Sequence, residues 1–378
     1  MNKKIKNSKT TAVLGTKKGL RLDSGKNIKN FHLAYQTYGK LNKAKNNAIL
    51  ICHALSGDQY AAGTNPVTNR PGWWVNAIGP NLPIDTNKFF VICSNVLGGC
   101  LGSSGPKEIN PKTKKIYNMS FPVITIKDMV NAQRMLIDKL EIEKLLCVIG
   151  GSAGGFQALQ WAADYPERVV SAIPVATSFR HSAQNIAFHE VGRQAIMSDP
   201  DWCNGNYINK NKRPEKGLSV ARMLAHITYL SEEAFQRKFG RNLQDKLSPA
   251  YGFKTDFQVE SYLKYQGQTF VDRFDANSYL YITRAMDYFD LPSQKKGGLK
   301  SIYKNTPVKF CVISFTSDWV YPTKYSKEIV DALNAVRAKV SFVEIETDKG
   351  HDAFLLDEKE FNDTVRGFLK ATANKFSN

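Results

Sequence analysis

The residues Gly150-Gly151-Ser152-Ala153-Gly154 place a serine between glycines in the pattern G-x-S-x-G. A serine hydroxyl can attack an acyl carbon when a nearby base removes its proton. The apolar run 145–149 precedes the pattern and helix-forming residues follow it, which predicts a sharp turn between a strand and a helix. Glycines at positions 150 and 154 allow neighbouring backbone to pass closely, since they carry no Cβ atom. The pattern therefore predicts a nucleophile at Ser152.

A glycine-rich loop can instead bind a phosphate group. A P-loop ends in Gly-Lys-Ser or Gly-Lys-Thr, and a dinucleotide-binding loop has the spacing G-x-G-x-x-G. Residues 150–155 have neither feature. The nucleophile is the better interpretation.

A serine nucleophile needs a base and an acid that orients the base, in the chain order serine, acid, histidine on this kind of fold. His351 follows the last predicted strand, whereas the other five histidines precede Ser152 or fall in a helical region. Asp318 directly follows the strand predicted at 308–315. Asp348 and Asp352 are too close to His351 in sequence to occupy the usual position of the acid. We therefore predict Ser152, Asp318 and His351 as the catalytic residues.

The negative oxygen of a tetrahedral intermediate needs two backbone N–H donors. The residue after the nucleophile, Ala153, supplies one of them. The second comes from a loop that follows an early strand. The run 47–52 is followed by His53-Ala54-Leu55-Ser56-Gly57, so we predict the Leu55 N–H as the second donor.

Apolar runs that alternate with amphipathic segments predict the elements that hold these residues. Strands are expected at 47–52, 89–93, 145–149, 169–175, 308–315 and 340–345, with helices at 127–140, 154–164 and 324–337. Continuous apolar strands separated by helices indicate an α/β fold, with a mostly parallel sheet covered on both faces. Between them, helices with caps are predicted at 231–240, 256–267 and 275–288. We expect an α/β-hydrolase core at 1–175 and 301–378 and a helical lid insertion at 176–300.

Composition excludes several classes of protein. The chain has 378 residues and a formal net charge of +18, but its lysines are diffuse and no nucleic-acid motif accompanies them. No apolar run is long enough to span a membrane, and the first residues lack the apolar part of a secretory signal. Six cysteines are scattered without a CxxC pair. Such usage is typical of a reducing cytoplasm, where we expect this protein.

Several segments resemble the homoserine O-acetyltransferase family, an α/β-hydrolase branch of methionine biosynthesis. They span most of the chain between residues ~30 and 365 and are specific in combination. They are His53 to Asp58, Pro71-Gly72-Trp73-Trp74, Cys93 to Cys100 with Gly105-Pro106, Gly150 to Gly155, Ser317-Asp318-Trp319, and Gly350 to Phe354.

The resemblance implies a role for each matching residue. Ser152, Asp318 and His351 match the family's triad, and Leu55 and Ala153 match its oxyanion donors. Arg222 matches the arginine that holds the homoserine carboxylate, and Asp352 matches the acid that holds the amino group. The implied reaction transfers acetyl from acetyl-CoA to homoserine through an acyl-serine, with no metal or other cofactor. A homodimer formed through the lid is also implied, with no nucleic-acid or membrane partner.

Related activities stay open at this point. Succinyl-CoA users of this group tend to carry an arginine after the Asp-Trp pair, where this chain has Val320, so acetyl is favoured. Serine is a possible acceptor, because one methylene changes binding by only ~1–3 kcal/mol. A serine esterase or thioesterase would use the same triad and differ in how it handles water.

Overall fold

Eight strands form the main sheet of the computed structural model, which describes residues 10–376. Four further strands, each of two residues, form two small two-stranded sheets. The part of the basic N-terminal stretch before residue 10 lies outside the described residues. In chain order the strands are β1 (Thr10–Leu14), β2 (Leu20–Arg21), β3 (Asn27–Ile28), β4 (Phe31–Tyr38), β5 (Ala48–Cys52), β6 (Ile78–Gly79), β7 (Ile84–Asp85), β8 (Phe90–Ser94), β9 (Cys147–Gly151), β10 (Ser171–Val175), β11 (Lys309–Phe315) and β12 (Lys339–Ile345).

The main sheet has the order β1-β4-β8-β5-β9-β10-β11-β12. The strands from β8 to β12 along this order are parallel, and β1 and β4 add an antiparallel edge. Every residue of β5, β9 and β10 is buried, which is why these strands are continuous apolar runs. The carboxyl ends of the parallel strands meet at one edge, where the predicted site residues follow β5, β9, β11 and β12. The predicted α/β-hydrolase architecture is confirmed.

Helices cover the sheet and fill the region between β10 and β11. The first helix begins at a capping box, in which the Thr125 hydroxyl accepts from the Asp128 N–H and the Asp128 carboxylate accepts from the Thr125 N–H. No helix among the described residues is long and apolar enough to cross a membrane. The helices are α1 (Ile126–Lys139), α2 (Ala153–Asp164), α3 (Ala183–Met197), α4 (Glu215–Tyr229), α5 (Glu232–Lys238), α6 (Gln258–Val271), α7 (Ala276–Asp287), α8 (Gly298–Ile302), α9 (Thr323–Ala335) and α10 (Lys359–Phe376).

The region 176–300 carries no strand of the main sheet and holds α3 to α8. The division of the chain into a core at 1–175 and 301–378 and a lid insertion at 176–300 stays a prediction. We call these residues the lid. The expected helices at 231–240, 256–267 and 275–288 are observed with shifted ends, as α5, α6 and α7.

The strand predicted at 145–149 is observed two residues later, at Cys147–Gly151. Its observed end includes Gly150 and Gly151, because both still pair with neighbouring strands: Gly150 lies opposite Cys52 of β5, and Gly151 lies opposite Val175 of β10. The strand therefore runs directly into the residue before Ser152. All six cysteines are free, and all but Cys203 are buried, as expected of small buried hydrophobes.

The contact between the end of β5 and the start of α2 leaves no space for a side chain at position 154. A Cβ atom on Gly154 would lie 2.0 Å from the carbonyl oxygen of Cys52. A Cβ on Gly150 would lie 2.5 Å from the backbone of Gly154. The two glycines of the G-x-S-x-G pattern are thus required by backbone packing.

We predict that Gly154→Ala lowers the free energy of unfolding by about 2–4 kcal/mol, because the new methyl group collides with fixed backbone. Gly367 in α10 provides the control, since a Cβ there meets nothing within 4 Å. Gly367→Ala is expected to stabilise the protein by roughly 0.5–1 kcal/mol through its helix propensity. Urea unfolding midpoints measure both changes. Equal effects of the two substitutions would contradict the packing argument.

Candidate active site

Ser152 occupies the turn between β9 and α2. Its backbone has φ 58° and ψ −126°, a conformation that L-residues rarely adopt and that costs on the order of 1–3 kcal/mol. Two hydrogen bonds hold the turn: the Ser152 N–H donates to the Val175 carbonyl at 3.0 Å, and the Thr177 hydroxyl donates to the Ser152 carbonyl at 2.8 Å. The predicted sharp turn is therefore present, and it presents the Ser152 side chain at the carboxyl edge of the sheet.

His351 and Asp318 form a buried pair at the same edge. The His351 Nδ1 lies 2.8 Å from Asp318 Oδ2. The other carboxylate oxygen of Asp318 accepts from the backbone N–H groups of Val320 and Tyr321, each at 2.9 Å. These bonds leave Asp318 as an acceptor toward His351, so Nδ1 carries the proton and Nε2 is free to act as a base.

Opposing effects act on the pKa of His351. Burial lowers it, whereas the charge of Asp318, its hydrogen bond and the charge of Asp352 raise it. The sum raises the pKa above 6.5. The imidazolium is therefore stabilised in this site, as a base that must hold a proton during the reaction requires.

A cavity of about 50 Å³ lies at the side chains of Ser152 and His351. Leu55, Ser152 and His351 all line it. Two tyrosine rings flank the imidazole of His351, Tyr321 at 5.4 Å and Tyr229 at 5.8 Å between ring centroids. No hydrogen bond joins the Ser152 hydroxyl to His351 among the described residues. Such contacts commonly tighten only when substrate is bound.

The two predicted oxyanion donors are free. Within residues 10–376, neither the Leu55 N–H nor the Ala153 N–H donates to any acceptor. Ala153 is the first residue of α2, where N–H groups lack intrahelical partners and the helix dipole favours negative charge. Leu55 shares the cavity with Ser152. The arrangement can therefore accept a developing negative oxygen.

His53 fixes the loop that carries Leu55, and sequence reasoning missed this role. The His53 Nε2 accepts from the Val96 N–H at 3.1 Å, so Nδ1 carries the proton and donates to the Ala54 carbonyl at 2.7 Å. The Gln157 side chain also donates to the His53 carbonyl, at 3.1 Å. Burial lowers the pKa of His53, which matches a neutral imidazole. The position of His53 directly after β5 was the available signal.

Arg222 and Asp352 lie beside this cavity. Arg222 of α4 donates from Nη1 to the Ser56 hydroxyl at 3.2 Å, and its guanidinium lies over the Phe270 ring at 4.7 Å. Asp352 is half-buried and accepts no hydrogen bond from a described residue. Burial raises the pKa of Asp352, although the charges of His351 and Arg222 oppose the increase. The structure thus places a cation and an unpaired carboxyl group near the triad.

Within residues 10–376, one cluster of side chains has the composition of a metal site. The side-chain atoms of His181, His189 and Asp287 lie within 4.8 Å of one another. Both imidazoles contact Asp287 Oδ1, at 3.2 and 2.9 Å, and Arg193 forms an ion pair with Oδ2 at 2.6 Å. Because the guanidinium already neutralises the carboxylate, the cluster does not favour a further cation. His181 instead contacts the Tyr321 hydroxyl at 2.8 Å, behind the His351 ring.

Comparison with known proteins first defines the class. A family model described as the alpha/beta hydrolase fold matches residues 47–358. The homoserine O-acetyltransferase of Mesorhizobium japonicum is 64% identical over 359 residues, which cover 95% of this chain and 92% of that protein. The chain thus belongs to the homoserine O-acetyltransferase family of α/β-hydrolase-fold proteins.

Solved structures agree with this result. A homoserine O-acetyltransferase from Bacillus anthracis superposes with a TM-score of 0.86 at 31% identity, covering 96% of this chain and 97% of that one. Esterase E22 superposes with a TM-score of 0.85 at 31% identity, covering 96% of this chain and 99% of that one. The resemblance predicted from the sequence is confirmed, and with it the class of acyltransferase.

We predict that Asp352→Asn lowers the pKa of His351. A negative neighbour favours the imidazolium, so removing that charge makes the protonated form less stable. The control is Asp357→Asn, at an exposed carboxylate on the same segment that does not contribute to the His351 shift. NMR titration of labelled histidine measures both variants. An unchanged or raised His351 pKa in the Asp352 variant would contradict the assignment.

Proposed function

We propose that this protein transfers an acetyl group from acetyl-CoA to the γ-hydroxyl of homoserine through an acetyl-Ser152 intermediate. The observation that carries the proposal is the small cavity lined by Ser152, His351 and Leu55, with Asp318 bonded to His351 and a free N–H on both Leu55 and Ala153. The product is O-acetylhomoserine, an intermediate of methionine biosynthesis. The reaction needs no metal and no cofactor beyond the acetyl-CoA co-substrate.

In the first half-reaction, His351 removes the hydroxyl proton of Ser152 as Oγ attacks the thioester carbon. Asp318 holds the tautomer and stabilises the imidazolium. The negative oxygen of the tetrahedral intermediate accepts hydrogen bonds from the N–H groups of Leu55 and Ala153. The carbon–sulfur bond then breaks, and the imidazolium protonates the departing sulfur, so CoA leaves as a thiol.

In the second half-reaction, homoserine occupies the position that CoA has left. Arg222 binds its carboxylate and Asp352 binds its ammonium group, which are charge-assisted contacts. His351 removes the γ-hydroxyl proton, the oxygen attacks the acetyl carbon, and the same N–H pair stabilises the intermediate. Ser152 then leaves and recovers its proton from the imidazolium.

Three features separate this function from its alternatives. The cavity at Ser152 is about 50 Å³ and is lined by Val320 rather than by a cation, which favours acetyl over succinyl. The Arg222–Asp352 pair favours an amino acid acceptor over water, although the similarity to esterase E22 shows that this fold also hosts ester hydrolysis. Serine would place its hydroxyl one carbon short of the γ position.

We also propose a cytoplasmic homodimer formed through the lid. The free cysteines support a reducing compartment. Nine large apolar residues of the lid are exposed, which suits a subunit contact, and the most exposed of them are Leu247, Tyr251 and Phe253. Sedimentation velocity distinguishes a dimer of the 42.4 kDa chain from a monomer.

A matrix of donors and acceptors tests the activity. Acetyl-, propionyl- and succinyl-CoA are each combined with homoserine, serine or no acceptor, and CoA release is followed together with the acylated product. We expect the fastest release with acetyl-CoA and homoserine, because the cavity fits acetyl and Arg222 and Asp352 match the acceptor. Release at the same rate without an acceptor would identify a thioesterase. Preference for succinyl-CoA or for serine would replace the proposed substrate.

A further inference from the structure

Two arginines of the lid converge on Ser56, the residue after the proposed oxyanion donor Leu55. Arg222 donates from Nη1 to the Ser56 hydroxyl at 3.2 Å. Arg273, in the loop after α6, donates from Nη1 to the Ser56 carbonyl at 2.9 Å. Both guanidiniums also contact the Phe270 ring, Arg222 at 4.7 Å and Arg273 at 5.4 Å from its centroid. Two positive groups are therefore held side by side.

The positive charges of Arg222 and Arg273 are only partly compensated by the described residues. The Arg222 Nε is buried and has no hydrogen-bond partner. Arg273 uses only Nη1 in hydrogen bonds to described residues, which leaves most of its N–H groups free. Burial lowers the pKa of Arg273, and the neighbouring charge of Arg222 lowers it further. An anion between the two groups would relieve both the repulsion and the missing hydrogen bonds.

Asp58 carries a charge that acts on Arg273, but its carboxylate already accepts other hydrogen bonds. Asp58 accepts from the Tyr60 N–H at 2.8 Å and from the Asn65 side chain at 3.0 Å. Arg222, Arg273 and Ser56 all line one open cavity of about 440 Å³. This cavity therefore offers free guanidinium donors to a ligand, and a planar carboxylate matches their fork geometry.

We propose that Arg273 is a second substrate-binding arginine, which holds the α-carboxylate of the acceptor amino acid together with Arg222. This inference rests on the proposed function and adds a specificity-determining residue to it. In this arrangement the carboxylate binds between the two guanidinium groups, next to Ser56. Acceptors without a carboxylate lose the benefit of both arginines.

The test compares Arg273→Gln, Arg273→Lys and the unaltered protein with two acceptors. These are homoserine and 3-aminopropan-1-ol, which is homoserine without its carboxylate. We expect Arg273→Gln to lower kcat/KM for homoserine by roughly 10- to 100-fold, the worth of a charge-assisted hydrogen bond. Arg273→Lys keeps the positive charge but loses the paired N–H donors of the guanidinium, so its decrease in kcat/KM for homoserine should be smaller. For 3-aminopropan-1-ol, kcat/KM should not change.

Acylation by acetyl-CoA and by p-nitrophenyl acetate supplies the second readout, since it reports folding and the triad without an acceptor. Both acylation rates should be unaltered in Arg273→Gln. The matched control is Arg70→Gln, at an exposed arginine on the rim of the same cavity that contacts Tyr265. This control should leave kcat/KM for homoserine unchanged.

Three results would overturn the proposal. Slower acylation by acetyl-CoA alone would assign Arg273 to the phosphates of CoA. If Arg273→Gln slowed acylation by both donors and left kcat/KM for homoserine unchanged, Arg273 would only position the loop of Leu55. Equal losses with homoserine and 3-aminopropan-1-ol would exclude recognition of the carboxylate. A failure of the proposed function can be told apart from these results, because the unaltered protein would then form no O-acetylhomoserine.

Discussion

The close approach of the β5 carboxyl end to the first turn of α2 is the constraint on which the site depends. The Cys52 carbonyl occupies the space where a side chain at position 154 would begin. This contact lies directly beside Ser152, where the chain turns with a positive φ. Ala153 follows Ser152, with its N–H at an open helix end. The nucleophile and one oxyanion donor therefore both lie at this contact.

The core and the lid contribute different parts of the chemistry. The core supplies Ser152, Asp318 and His351, all fixed by strands and short loops. The lid supplies Tyr229 against the His351 ring and the arginines that meet at Ser56. The lid adds the arginines proposed to bind the carboxylate of the acceptor, whereas Asp352, proposed to bind its ammonium group, belongs to the core.

The sequence predicted the parallel strands and the triad because both depend on local signals. Buried strands are continuous apolar runs, and the nucleophile lies in a short motif. The antiparallel strand β4 was missed, because the prediction relied on continuous apolar runs and the apolar residues of β4 alternate with more polar ones. The support of Leu55 by His53 and the contact of Arg273 with Ser56 were also missed. These contacts join residues far apart in sequence, so no spacing rule reveals them.

Trapping of the acyl-enzyme tests the central claim most directly. The protein is mixed with acetyl-CoA, digested and analysed by mass spectrometry, and homoserine is then added to a matched sample. We expect one acetyl group on the peptide that contains Ser152, its disappearance on addition of homoserine, and no label in Ser152→Ala. Formation of O-acetylhomoserine by the unaltered protein without any acetyl-Ser152, or with full activity in Ser152→Ala, would contradict the account.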